Sequence, residues 1–402
     1  MMFVIPILLF LVSACDSPKE KPVDKGRVQV GAEVLIRDHL DQLDGKRVGL
    51  VMNPTARIGD THMLDTLMAL EVDVAALFAP EHGFRGEAGA GEVIEDGVDQ
   101  ETGLPVYSLY GDTKKPTQAM LRNVDMLLFD MQDVGARFYT YNVTLGLVIE
   151  AAAEADIPVW VLDRPNPAGG DYVAGWTLEE RHQSFVGAYP VPMAHGMTLG
   201  ELARMMVGEQ WLDIERRPEL RVIRVEGWRR SMKWPDTGLP WHPPSPNLPT
   251  FEHAYIYLGT VLFEGTTLSE GRGTEDPFLT IGSPRTTITE VQLQAIRDRY
   301  PAVSIVPHTF TPKSIPGKAR TPRYEGQQCH GLSLEVRRYD TLDPVEFGVS
   351  LLDLLLESTE GAETTEFIYK LAGTEQIDRR TTGWEESVRL FREKRRPYLL
   401  YE

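Results

Sequence analysis

The chain has 402 residues, with 41 Lys+Arg against 59 Asp+Glu and a formal net charge of −18. That length holds two or three domains with sizeable cores, and 42% hydrophobic with 25% charged residues excludes disorder as an overall description. The acidic balance excludes nucleic acid or an anionic membrane surface as the main partner, and two cysteines exclude a disulfide-rich scaffold.

The chain opens with an apolar run from Phe3 to Ala14, too short to span a bilayer, which takes about 20 residues. The run ends in Leu11-Val12-Ser13-Ala14-Cys15, followed by Asp16. Small residues leading into a cysteine after a short apolar core read as a bacterial lipoprotein signal, with Cys15 lipidated and the mature N terminus. Residues 1–15 are expected to be this signal, and 16–29, rich in Lys, Pro, Asp and Ser, a tether. The only membrane contact expected is through that lipid, on a protein exported to the periplasm or cell surface. Cys329 then stands alone. Its place before the apolar run Leu332–Val336 predicts a small buried residue, and no disulfide is expected.

Four apolar strands follow, at 47–52, 74–78, 126–129 and 158–162, with helical patterns between them at 63–70 and 144–155. Continuous apolar strands alternating with helices predict an α/β protein with a Rossmann-like parallel sheet covered on both faces. Ligands in such sheets bind outside the carboxyl ends of the strands. No G-x-G-x-x-G or G-x-x-x-x-G-K-[ST] follows any strand, so no nucleotide or other cofactor is expected. Thr198-Leu199-Gly200-Glu201 has capping-box spacing and predicts a helix through Gly208. The Trp- and Pro-dense stretch 227–250 predicts an extended segment. A Rossmann-like catalytic domain is expected over 30–220 and a smaller α/β auxiliary domain over 221–402. Within the second, helices are predicted at 252–263, 289–300, 343–357 and 383–394, and strands at 302–307 and 332–337.

The chemistry-bearing residues concentrate in loops after strands. Pro80-Glu81-His82-Gly83-Phe84-Arg85 puts a carboxylate, an imidazole and a guanidinium on a glycine-hinged loop, where Glu81 is a candidate general acid or base. Ser269-Glu270-Gly271-Arg272-Gly273-Thr274-Glu275-Asp276 is built to present charge. Asp133, Arg137, Tyr139 and Tyr141 follow the third strand, and Asp163-Arg164-Pro165-Asn166-Pro167 the fourth. No H-x-x-x-H, H-E-x-x-H or paired-Cys spacing points to a metal, and no G-x-S-x-G or S-x-x-K points to a serine nucleophile. Carboxylate acid/base chemistry remains, as glycoside hydrolysis uses it.

These runs carry a resemblance. Leu77-Phe78-Ala79-Pro80-Glu81-His82-Gly83-Phe84-Arg85-Gly86, Asp130 through Tyr141 and Leu162 through Pro167 resemble the bacterial exo-β-N-acetylmuramidases, a peptidoglycan-hydrolase family long described only as a domain of unknown function. So do Pro244-Ser245-Pro246-Asn247-Leu248-Pro249, Phe263-Glu264-Gly265-Thr266, Ser269 through Thr274 and Arg396 through Tyr401. The resemblance implies a Rossmann-like domain and an auxiliary domain with a cleft between. It also implies release of terminal N-acetylmuramic acid from the non-reducing ends of peptidoglycan fragments such as MurNAc-GlcNAc, with Glu81 as catalytic glutamate.

Glu270 is the first choice for its partner, with Glu275 and Asp133 as alternatives. His82, Arg85, Asp133, Arg137, Tyr139, Asp163, Arg164, Asn247, Arg272 and Glu275 are expected to bind substrate. A muramic lactyl carboxylate calls for a cation, so Arg85, Arg137, Arg164 and Arg272 are expected to make a locally positive cleft. Trp176, Tyr139 and Phe84 are candidate sugar platforms. A carboxylate separation of about 5–5.5 Å would give retention, about 6.5–9.5 Å inversion, and the substrate's acetamide is a third possible nucleophile. The rival readings are a tethered solute-binding lipoprotein and a metal-dependent hydrolase or deacetylase.

Overall fold

A computed structural model describes residues 27–85, 96–380 and 382–402; the signal segment, Cys15 and most of the tether lie outside the described residues. After α1 (Gly31–Asp38), the first half runs β1 (Val48–Met52), the hairpin β2 (Arg57–Ile58) and β3 (Thr61–His62), α2 (Met63–Ala69) and β4 (Val74–Ala79). It continues through β5 (Gly97–Val98), β6 (Pro105–Ser108), α3 (Gln118–Leu121), β7 (Met126–Asp130), α4 (Tyr141–Ala155) and β8 (Val159–Leu162). The antiparallel pair β9 (Ala174–Thr177) and β10 (Pro192–Ala194), helix α5 (Leu199–Gly208) and strand β11 (Leu220–Ile223) complete it.

Seven strands form one sheet in the order β11-β8-β7-β1-β4-β6-β5, parallel except for β5. Every residue of β1, β7 and β8 is buried, because helices cover both faces of the parallel strands. From β1 the chain moves out one way through β4 and β6, then returns to β7 on the other side of β1. That reversal is the switch point of a doubly wound sheet, where ligand crevices open at the carboxyl ends.

The second half is built on α6 (Phe251–Thr260) and a three-stranded antiparallel sheet in the order β12 (Thr280–Ser283), β14 (Cys329–Val336), β13 (Val303–Phe310). Helices α7 (Glu290–Arg299), α8 (Pro344–Glu357), α9 (Phe367–Ala372) and α10 (Glu385–Arg395) complete it. α6 and α8 meet at Gly259 and Gly348, where a Cβ on Gly348 would lie 2.4 Å from the Gly259 backbone. Cys329 is buried in β14, and burial pushes its thiol up to about 11, as its position before an apolar run implies. One apolar cluster runs from Phe129 and Leu145 through Tyr257 into Leu332 and Leu352, so the halves share a core.

The expected division at 220 needs correction on two counts. β11 straddles it as the edge strand of the first sheet, a half-buried strand whose alternation the sequence conceals. The C-terminal residues also fold back onto the first half. Arg395 Nη1 donates to His195 O at 3.0 Å, Arg204 Nη1 donates to Tyr398 O at 2.9 Å, and the Tyr401 phenol donates to Asp163. The expected capping box is present: Thr198 Oγ1 accepts from Glu201 N at 3.2 Å, and Glu201 Oε2 accepts from Thr198 N at 3.2 Å. Among the described residues no helix is long and apolar enough to cross a membrane.

Candidate active site

The loop after β4 delivers Glu81. Pro80 ends the strand, and His82 and Gly83 take φ values of 76° and 83°, the left-handed region that a non-glycine residue enters at a cost of about 1–2 kcal/mol. The Gly83 N–H closes the turn on Pro80 O at 3.1 Å. Glu81 and His82 thereby face a cavity of about 370 Å³ between the two halves. Thr140, the residue before α4, donates its hydroxyl to Glu81 Oε2 at 3.1 Å. The Tyr110 phenol also hydrogen-bonds Glu81, and burial together with that carboxylate pushes it up to about 12.

Aromatic side chains wall the cavity from one half to the other. Phe138 meets Tyr257 edge-on at 5.4 Å, Tyr257 meets Phe278 at 4.7 Å, and Tyr139 packs against Tyr141 at 4.8 Å. The second half adds Glu264 and Arg272 to the lining. Arg272 donates Nε and Nη2 to Glu264 Oε1 at 3.0 and 2.6 Å, and its guanidinium lies 5.1 Å over the Phe278 ring. Burial works against the Arg272 charge, but the Glu264 and Glu270 carboxylates outweigh it and hold the cation firmly.

Of the residues expected in the site, Glu81, His82, Tyr139 and Arg272 line this cavity. Glu270 does not. It is buried behind Arg272, 3.5 Å from Nε, and burial pushes its carboxyl up. Glu275 is exposed outside the lining. Asp133 is buried, its Oδ2 accepting from Gly135 N at 2.8 Å and standing 3.6 Å from His195 Nε2. Asn247 spends its side-chain amide on Lys318 O at 2.9 Å.

The expected positive cleft is not what the arginines build. Arg85 turns away to a paired contact with Asp99, at 2.8 and 3.3 Å, beside Glu101 and Asp65. Arg164 grips buried Asp130 with Nε and Nη2. Arg137 is wholly buried and donates to the carbonyls of Trp176, Val191 and Leu371, a tie from the first half to α9; burial lowers its pKa to about 9. Asp163 serves as an anchor, accepting from the Thr198 hydroxyl, Gly200 N and the Tyr401 phenol. Trp176 packs against Trp384, and Phe84 against His62, away from the lining.

Glu264, Tyr110, Thr140, Tyr257 and Phe278 also line the cavity and were not among the expected substrate-binding or catalytic residues. Glu264 had a signal: it is the acid that ends the run from Ala254 to Phe263, which itself holds no charged residue. Among the described residues no group of three or more His, Cys, Asp or Glu side chains is arranged to hold a metal ion.

Two carboxylates in an aromatic-walled cavity, on an α/β sheet domain joined to a smaller lobe, are the equipment of a glycoside hydrolase. Residues 48–252 match the family model for the N-terminal part of exo-β-N-acetylmuramidase NamZ, and 255–401 match that for its C-terminal part. The chain belongs to this exo-β-N-acetylmuramidase family. A peptidoglycan β-N-acetylmuramidase NamZ of Bacillus subtilis (strain 168) is 41% identical over 407 aligned residues, 97% of this chain and 95% of that protein. Two crystal structures of DUF1343 family proteins from Bacteroides fragilis NCTC 9343 share the fold. One has a TM-score of 0.80 at 32% identity, covering 94% of this chain and 100% of that one. The other has 0.76 at 35%, covering 93% and 99%. The two family models meet between 252 and 255, just where α6 begins.

Proposed function

We propose that the protein is an exo-acting muramidase that releases terminal N-acetylmuramic acid from the non-reducing ends of peptidoglycan fragments, MurNAc-GlcNAc among them. Glu81 is its proton-transferring carboxylate. The observation that carries this reading is the placing of Glu81 in the cavity between the halves, hydrogen-bonded by Thr140 and Tyr110. A volume of about 370 Å³ falls in the range of small-molecule sites and suits capture of a chain end. Tyr110, Phe185 and Phe367 line the cavity with accessible ring surface for a sugar, and Glu81 supplies the proton that a departing glycosidic oxygen needs. The protein works, on this reading, as an exported lipoprotein held to a membrane only by a lipid on Cys15, which the Leu11–Cys15 pattern and the following tether support.

The test is to incubate the purified protein with MurNAc-GlcNAc and follow release of free MurNAc. Wild type should release it, and Glu81→Gln should lower the rate by about 10²–10⁴, the usual worth of a general acid or base. Tight binding of the disaccharide without release by wild type would overturn the reading in favour of a receptor. Inactivation by chelator would overturn it in favour of a metal-dependent hydrolase. Labelling of the full chain with a fatty acid, lost in Cys15→Ala, tests the anchor separately.

A further inference from the structure

Hydrolysis by carboxylates needs two groups, and the expected partner, Glu270, is shut behind Arg272. We propose that Glu264 is the second catalytic carboxylate, the anion that faces the sugar's C1 while Glu81 handles the proton; this rests on the muramidase reading above.

Among the described residues Glu81 and Glu264 are the two acids that line the cavity. Glu264 sits on the short 3₁₀ turn Val261–Gly265 that continues the buried helix α6. That turn is clamped, because a Cβ on Gly265 would lie 2.6 Å from the Ile368 backbone. A carboxylate on so fixed a base is positioned before substrate arrives.

Arg272 completes the positioning. Both of its bonds to Glu264 end on Oε1, so Oε2 is the oxygen left for the cavity. Its Nε also stands 3.5 Å from Glu270, and the ring of Phe278 lies under the guanidinium. Arg272 therefore holds Glu264 in an ion pair and is a positioning residue. Glu81 accepts from the Thr140 hydroxyl and hydrogen-bonds the Tyr110 phenol among its partners. The ion pair with Arg272 fixes Glu264 as the anion, and proton transfer falls to Glu81 as in the reading above. The two acids share one space: the buried Tyr257 phenol is pushed far up first by burial and then by Glu264 and Glu81 among its neighbours.

The step balances as follows in atoms. The bond from C1 to the leaving oxygen breaks, its electron pair stays on that oxygen, and Glu81 supplies the proton. A water oxygen then bonds C1, and the proton it sheds restores Glu81. Glu264 carries the negative charge opposite the developing oxocarbenium ion throughout.

Two substrates separate the roles: MurNAc-GlcNAc, whose leaving alcohol needs a proton, and 4-nitrophenyl N-acetylmuraminide, whose nitrophenolate does not. Glu81→Gln should lose about 10²-fold or more on the disaccharide and far less on the aryl glycoside. Glu264→Gln should lose about 10²–10³ in kcat on both, with KM within a few-fold, and Glu264→Asp should recover part of it. Thermal unfolding checks the fold. In E264Q the guanidinium keeps Glu270, 3.5 Å from Nε, as its partner; should E264Q unfold nonetheless, E264Q/E270Q/R272M removes all three charges together, and once folded it should stay inactive on both substrates.

The assignment is overturned if E264Q, or a folded E264Q/E270Q/R272M, keeps more than a tenth of the wild-type kcat. A loss confined to the disaccharide would overturn it too, by placing Glu264 in proton delivery. Absence of turnover by wild type on either substrate would sink the muramidase reading itself. Wild-type turnover with an active E264Q would sink this assignment alone.

Discussion

Replacing Asp163 by asparagine should remove a pH dependence of stability that the wild-type protein carries on the acid side of neutrality. Asp163 is 1% exposed at the end of β8. Its Oδ2 accepts the Thr198 hydroxyl at 2.7 Å and the Tyr401 phenol, and its Oδ1 accepts Gly200 N at 2.9 Å. Burial raises its pKa from 3.8 to about 6, against the pull of those three donors. The native protein therefore holds this proton more tightly than the unfolded chain does. The associated stability is fully present below 3.8 and is lost as pH rises through about 6. At about 1.4 kcal/mol per pH unit that interval is worth about 3 kcal/mol, of which about 2 kcal/mol disappears between pH 4.5 and 7.5.

Asparagine fits the same space. Its oxygen keeps the Gly200 N–H, while the Thr198 and Tyr401 hydroxyls, which already accept from Glu201 N and Val225 N, lose the acceptor for their O–H groups, a cost that does not vary with pH. Urea unfolding of both proteins at pH 4.5 and 7.5 isolates the effect, because every other titrating group is common to the two. The stability of Asp163→Asn relative to wild type should rise by about 2 kcal/mol between the two pH values. Parallel profiles would refute the claim that this carboxyl is buried at a cost and anchors the C-terminal segment.

Two further substitutions test the site and its frame. Tyr110→Phe removes the phenol from Glu81 and should lower kcat on MurNAc-GlcNAc about tenfold, since a hydrogen bond to a charged group is worth about 1.5 kcal/mol; steady-state kinetics with an unchanged melting temperature check it. Arg137→Lys replaces a fork that reaches three carbonyls across the two halves by a single point charge. It should cost about 2–4 kcal/mol in urea unfolding, and an unchanged midpoint would contradict the bridging role.

The sheet was legible because burial on both faces leaves a strong mark: β1, β4, β7 and β8 are near-continuous apolar runs ended by Pro, Gly or acids. β6 and β11 are half-buried, so their alternation is diluted, and neither stands out by eye. Glu81 stood out as a candidate because it is an acid on a glycine-hinged loop directly after a buried strand, and it lines the cavity between the halves. The arginines show where such reading stops. Charge in a loop after a strand looks the same whether it meets a ligand or the protein's own backbone. Arg85 and Arg272 lie in equally charged loops, and what separates them is which acid stands opposite, Asp99 or Glu264. Those acids lie fourteen and eight residues away along the chain, and only the folded path of each loop decides which of them an arginine meets.

The net charge takes on a second meaning at the site. Among the described residues the cavity lining sets Glu81 and Glu264 against a single arginine, so the acidity of the whole chain, −18, continues into that lining instead of being reversed there. A cavity of that sign suits a reaction in which positive charge develops on the sugar ring, because a fixed anion lowers the energy of an oxocarbenium ion more than that of the neutral glycoside before it. Arginines gathered there to attract an anionic substrate would have opposed that charge. Fixing Glu264 on Arg272 through one oxygen keeps the carboxylate in place while leaving the other oxygen to the ring.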